Sequence, residues 1–185
     1  MQATVGLDER FVGERVVLRC VTESDCHEHY LGWLEDPEVN RYLETRHTRQ
    51  SLDTIRQFVV EMFHSEANHL FAILDAEDGL HVGNIKVGPV NGHHRFADVS
   101  YFIGERSRWG RGLASDAIRV VTRFGFERLE LHRLQAGVYA SNQGSSRALE
   151  RAGYQLEGTF REALRSDEGW EDLHRFGILC EDWRP

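Results

Sequence analysis

The sequence predicts a mixed α/β layer structure, and three observations carry that prediction. An apolar extended run, Val99-Ser100-Tyr101-Phe102-Ile103, leads into a glycine-bearing turn, Trp109-Gly110-Arg111-Gly112. A helical pattern with Leu113, Ala117, Ile118, Val121 and Phe124 leads out of it. Before it lie three extended stretches separated by Asp78-Gly79 and Asn91-Gly92, the strongest short-range hairpin signals, so these strands are expected to be antiparallel neighbours. With 185 residues and no repeat or linker, one domain with a full core is expected over 1–185.

Taken in order, Glu14 to Cys20 reads as a first strand. Thr22 and Ser24 offer caps for a helix carrying Tyr30, Leu31 and Trp33. Asp36-Pro37-Glu38 starts a short helix, because proline is tolerated in a first turn, and Val39, Tyr42 and Leu43 give it an apolar side. A polar stretch from Glu44 to Gln50 interrupts the pattern. Ser51 then caps a longer helix in which Leu52, Ile55, Phe58, Val59, Met62 and Phe63 recur at helical spacing. Trp33, Phe58, Met62 and Phe63 are expected in the core or in the wall of a substrate pocket.

Strands follow from His69 to Leu74, His81 to Val90 and Arg95 to Ile103, with a bulge signalled at Gly83. Beyond the glycine turn come a strand from Arg133 to Tyr139 and a helix from Ser145 to Ala152, which Gly153 ends. Two last strands, Tyr154 to Phe160 and Trp170 to Leu179, flank a polar loop with Glu168-Gly169. The acidic residues from Asp167 to Asp172 are expected on a solvated face.

The net charge of −8 and a pI near 5.7 argue against a nucleic-acid binder, which needs a basic face. They favour cationic or neutral partners. Cys20, Cys26 and Cys180 have no paired metal spacing and read as reduced thiols of a cytoplasmic protein. No apolar stretch approaches about 18 residues, so no membrane span is expected. Met1 to Gly6 lacks the basic start and apolar block of a signal peptide. The ten histidines are scattered, and no metal site is expected.

At the glycine turn, the first amides of the new helix have no intrahelical acceptor and point outward beside the positive end of the helix dipole. That geometry suits a phosphate, although two glycines at such a turn also fit plain turn chemistry. Gly110-x-Gly112-x-x-Ser115 nearly matches a dinucleotide fingerprint, with Glu130 at about the distance of a ribose-binding acid. Against it, Ser115 replaces the third small residue, Glu130 precedes the next strand, and only one further strand–helix unit follows.

Three stretches in one order resemble the GNAT superfamily of acetyl-coenzyme A-dependent N-acetyltransferases, in its ribosomal-protein-acetyltransferase (Rim-type) branch. They are Ala97 to Gly104, like that branch's fourth strand; Trp109 to Ile118, like its coenzyme loop and following helix; and Asn142 to Tyr154, like its Asn-x-x-Ser segment ending in a basic residue, a small residue, Gly and an aromatic. The resemblance covers almost the whole chain from the first strand onward. Departures are Ser100 in place of a frequent glycine and Asp98 where many relatives carry glutamate.

The resemblance implies an α/β (α+β) fold with a mixed, mostly antiparallel sheet of about seven strands, flanked by helices and splayed between the fourth and fifth. It implies acetyl-coenzyme A as cosubstrate, no metal, and a homodimer of the kind many relatives form. Trp109 would open the loop, and the amides of Gly110, Arg111, Gly112, Leu113 and Ala114 would hold the pyrophosphate. Arg111 would either touch phosphate or stay solvated. Strand amides near Phe102 and Ile103 would pair with the pantetheine arm and stabilise the oxyanion. Asn142 would bond the arm or make an Asx turn, and Ser145 would serve the departing thiolate, cap its helix, or both.

A protonated amine must lose a proton before it attacks, and Asp98 is the first candidate base, or else a surface aspartate. Glu44 is a second candidate that would instead bind a cationic substrate, and Trp33 is a candidate pocket wall. Gly83 to Pro89 also resembles members that modify amino sugars, which favours a small-molecule acceptor over a peptide such as a ribosomal-protein N-terminus. The missing strand glutamate keeps a third possibility open, a coenzyme-binding sensor without turnover.

Overall fold

The computed structural model describes residues 5–166 and 169–184. Residues 1–4, Asp167 and Glu168 of the polar loop, and Pro185 lie outside the described residues. The strands are β1 (Phe11–Val12), β2 (Val16–Cys20), β3 (His69–Asp75), β4 (His81–Val87), β5 (Phe96–Ile103), β6 (Arg133–Tyr139), β7 (Gln155–Ser166) and β8 (Gly169–Leu179). The helices are α1 (Glu28–Glu35), α2 (Pro37–Asn40), α3 (Leu52–His64), α4 (Leu113–Glu127) and α5 (Gln143–Arg151).

The strands form one eight-stranded sheet in the order β1-β2-β3-β4-β5-β6-β8-β7. Every junction is antiparallel except β5–β6, which is parallel. The strands expected as fourth and fifth are therefore β5 and β6. They pair only at Phe96↔Arg133, Ala97↔Leu134 and Asp98↔Gln135. Beyond that rung β5 stays on β4 as far as Ile103↔Gly83, while β6 stays on β8 as far as Tyr139↔Leu173, so the sheet forks.

Alternation along the strands builds a core on each face of the sheet. Phe71, Ile73, Val99, Leu134 and Val138 pack with Ala117, Ile118, Val121 and Phe124 of α4 and Leu149 of α5. Ala72 packs on the opposite side with Tyr30, Trp33 and Leu34 of α1 and with Ile55 and Val59 of α3.

Several elements differ from the sequence expectation. The eighth strand, β1, is two residues long and carries no alternation to read. Val16, where β2 begins, lies two residues after the expected start: the buried Asp116 carboxylate takes the amides of Arg15 and Val16 at 2.7 and 3.1 Å. Thr22 caps a 3-10 turn at Glu23–Asp25, and α1 starts only after His27, whose side chain makes no capping bond. Phe58 and Phe63 are 38% and 51% exposed, because α3 buries only a narrow stripe centred on Ile55 and Val59. Helix α5 starts earlier than expected, capped by Asn142, whose side chain accepts from the Ser145 amide. Ser51 and Asp36 cap α3 and α2 as expected, and the bulge lies beside Gly83, where the β3–β4 register shifts.

Candidate active site

The fork and the glycine turn lie together because β5 runs directly into the turn. In the antiparallel β4–β5 pair alternate residues bond to the same neighbour. The Gly88 amide donates to Asp98 O and the Gly104 amide to Val82 O, both at 2.8 Å, so the even-numbered residues of β5 face β4. This corrects the expectation for Phe102, whose amide turns to β4. Those of Tyr101 and Ile103 turn to the fork. Trp109 ties the loop to the strand end by donating from Nε1 to Ile103 O at 2.8 Å.

Gly110 and Gly112 have φ of 75° and 80°, left-handed conformations that favour glycine. Gly112 is the N-cap of α4 and has no side chain to satisfy the first amides. Among the described residues no acceptor meets the amides of Gly110 to Ala114. They present a donor cradle that fits a diphosphate. Arg111 does not stand free in solvent: it bonds Glu77 Oε2 at 2.5 Å and lies 3.5 Å from Asp75 Oδ2. Arg108 likewise bonds Asp75 at 2.9 Å and Asp78 at 2.6 Å. The turn between β3 and β4 thus sets its carboxylates against the arginines of the loop. A cleft of about 300 Å³ opens there, with Arg15, Glu77, Arg111 and Leu113 in its wall.

On the α4–α5 face of the fork, Tyr101 spans the gap that the backbone leaves. Its one hydroxyl proton has two acceptors in reach, Ser145 Oγ at 2.7 Å and Ser145 O at 3.2 Å. Burial pushes the Tyr101 phenol up to about 12. Ser145 is the third residue of α5 and does not cap it. Asn142 Oδ1 is the cap, accepting from the Ser145 amide at 3.1 Å. Tyr154 is buried with its hydroxyl 3.0 Å from Thr122 Oγ1, and burial pushes its phenol far up, so it packs in the core.

On the other face, Tyr139 ends β6 and donates its hydroxyl to Glu44 Oε1 at 2.9 Å. Arg46 donates to the same hydroxyl at 3.0 Å and to Arg165 O of β7 at 2.8 Å. Burial first, and then Glu44, raise the Tyr139 phenol above its ordinary value. Ser141, just past the fork, gives its amide to Glu171 and its hydroxyl to Tyr42.

Two further expectations are corrected here. Asp98 lies on the last paired rung, where Arg175 Nη2 donates to its Oδ1 at 2.6 Å and Gln135 approaches its Oδ2 at 3.4 Å, so this carboxylate is not a free base at the fork. Trp33 is 5% exposed, packs 6.1 Å from Phe102, and fills the space above Gly104, so it is core and not pocket wall. Sequence reasoning passed over the Tyr101 side chain, Arg15, Arg46 and Arg175. The expected strand content could have flagged Tyr101, since its parity places it with Val99 on the α4 face.

The chain matches the acetyltransferase (GNAT) domain family over residues 15–155, a span that contains all three stretches of resemblance. It is 32% identical over 123 residues to YjcK of Bacillus subtilis, named a probable N-acetyltransferase, which covers 66% of this chain and 67% of that protein. It is 24% identical over 191 residues to the [ribosomal protein uS5]-alanine N-acetyltransferase of Escherichia coli, covering 95% of this chain and 93% of that one. Its fold is that of the Vibrio cholerae spermidine N-acetyltransferase solved with CoA and spermine, at a TM-score of 0.81 and 22% identity over 91% of this chain and 97% of the other. With its forked sheet and open amide cradle, this chain belongs to the GNAT family of acetyltransferases and resembles that family's ribosomal-protein-acetylating branch.

Proposed function

We propose that the protein moves the acetyl group of acetyl-coenzyme A to the primary amine of a small cationic acceptor, such as an amino sugar, by direct attack. Acetyl-coenzyme A, when bound, supplies a thioester carbonyl activated for attack by nitrogen. The amides from Gly110 to Ala114 hold the diphosphate, Arg111 and Arg15 add positive charge beside it, and the fork-facing amides of Tyr101 and Ile103 bind the arm and the developing oxyanion. Asn142 caps α5 with its oxygen and offers its NH2 to the arm. Ser145 offers its hydroxyl to the leaving sulfur.

The observation that carries the acceptor assignment is the Glu44 carboxylate, held at the open end of the fork by Tyr139, whose ring packs on Tyr42. It attracts an ammonium and takes one proton from it by way of water, so that the neutral amine attacks. Arg46 straps the Glu44–His47 turn to β7 over Tyr139. That roof suits a small molecule better than the N-terminus of a folded protein. The domain so proposed spans 1–185.

Thiol release on mixing the protein and acetyl-coenzyme A with a panel of amines tests this reading. Turnover of small cationic amines, lowered by Glu44→Gln, is expected. Release with ribosomal-protein N-terminal peptides alone would reassign the acceptor. Coenzyme binding without release on any amine would make the protein a sensor.

A further inference from the structure

We infer that Tyr101 is a positioning residue that frees the hydroxyl proton of Ser145 for the coenzyme sulfur. The inference rests on the reading above, in which Ser145 faces that sulfur. The Ser145 amide donates to Asn142 Oδ1, and the Tyr101 hydroxyl lies within hydrogen-bond reach of both Ser145 Oγ and the Ser145 carbonyl oxygen. The contact runs from β5 to α5, across the gap where β5 and β6 no longer pair. It joins β5 to α5 by a side-chain bond where the backbone makes none.

The proton count decides what the contact does. A tyrosine hydroxyl has one proton and a serine hydroxyl one, so either group donates in the 2.7 Å bond. The one Tyr101 proton has two acceptors in reach, Ser145 Oγ at 2.7 Å and Ser145 O at 3.2 Å; when it goes to Oγ, the shorter contact, the serine proton is left to point elsewhere, and when it goes to the carbonyl oxygen, Ser145 donates to Tyr101. When Ser145 donates to Tyr101, it has nothing to give a sulfur. Tyr101 keeps its proton throughout the neutral and mildly alkaline range, because burial pushes it to about 12. It therefore stays a donor, and a thiolate arriving on the far side of Oγ selects the first arrangement. No net proton is needed from either side chain: sulfur leaves with the C–S bonding pair, and water supplies its proton.

A donor aimed at sulfur favours thiolate over thiol, which can be measured without turnover. Binding of coenzyme A and of desulfo-coenzyme A is compared by calorimetry between pH 7 and pH 10, for wild type, Ser145→Ala and Tyr101→Phe. In wild type the advantage of coenzyme A over the desulfo compound is expected to grow about tenfold over that range, the scale of a hydrogen bond to a charged group. Ser145→Ala and Tyr101→Phe should each lose most of that growth while binding desulfo-coenzyme A as wild type does, which also reports that they are folded. If Tyr101→Phe keeps the growth that Ser145→Ala loses, the inference fails and the Ser145 reading stands. If wild type shows no growth, or Ser145→Ala retains it, both fail. If wild type binds neither compound, the coenzyme site itself is wrong.

Discussion

Arg175 of β8 reaches across β6 to Asp98 of β5, its Nη2 2.6 Å from Asp98 Oδ1, and so ties three strands together on the rung where the fork begins. Gly137, opposite Arg175 on β6, leaves the space for this crossing: a Cβ there would lie 3.3 Å from Arg175 Nη1. The pair sits on the last rung that β5 and β6 share. A guanidinium over the strand between also stiffens the junction against shear.

Asp98→Asn is expected to leave the shape of the pH–rate profile as it is in wild type, because the carboxylate is engaged and stands on the closed side of the fork. Its cost falls on stability, about 1 kcal/mol or less for a partly exposed ion pair, which corresponds to a melting temperature lower by about 2–4 °C. A selective loss of rate below the amine's pKa, with unchanged melting, would restore Asp98 as the base.

Glu77→Gln is expected to tighten coenzyme binding. Arg111 now bonds Glu77, an exposed carboxylate on the β3–β4 turn, and must leave it to reach a phosphate. Exposed pairs of this kind are worth about 0.2–1 kcal/mol, so the dissociation constant should fall by up to about fivefold in titration calorimetry. The gain should shrink in high salt as the charges are screened. An unchanged or weaker affinity would mean that Arg111 takes no part in holding the coenzyme.

Gly112→Asp is expected to raise the coenzyme dissociation constant at least about tenfold. It puts a side chain at a φ of 80° and a negative charge into the donor cradle. Gly112→Asn carries the same backbone cost without the charge, so the difference between the two variants isolates the electrostatic part. Equal affinities for both variants would show that no phosphate sits beside this residue.

The sequence revealed what is local in this site and hid what is not. The cradle was legible because a strand, two glycines and an amphipathic helix follow one another, and each leaves its signature within a few residues. The forked strands were legible as strands for the same reason, and strand parity puts Asp98 on the face of Gln135. Parity does not name a partner, however. Arg46 meets Tyr139 93 positions away, and Arg175 meets Asp98 77 away. Those contacts exist only after β6 and β8 have been laid beside β5, so the roof over the acceptor end and the tie at the fork's root had no signal to read. Trp33 was ambiguous because an apolar helix face looks the same whether a sheet or a ligand covers it.

A local ion pair sets part of the protein's response to acid. Asp25 is buried at the edge of the α1–α3 core, where Arg19 donates to both its oxygens at 2.7 and 2.6 Å and the Thr22 amide donates at 2.8 Å. Burial pushes this carboxyl up, but the Arg19 and Thr22 hydrogen bonds together outweigh it and hold the carboxyl at about 2. An unfolded aspartate titrates near 3.9, roughly two units higher. The folded form therefore gains stability from Asp25 that is fully present above about pH 4 and is lost as pH falls through about 2, an amount of roughly 2 kcal/mol. Asp25→Asn should lower the melting temperature at pH 6 and narrow its distance from wild type as the pH approaches 2. Melting curves for the two proteins that stay equally far apart from pH 6 to pH 2 would show that the Arg19–Asp25 pair contributes nothing that acid can remove.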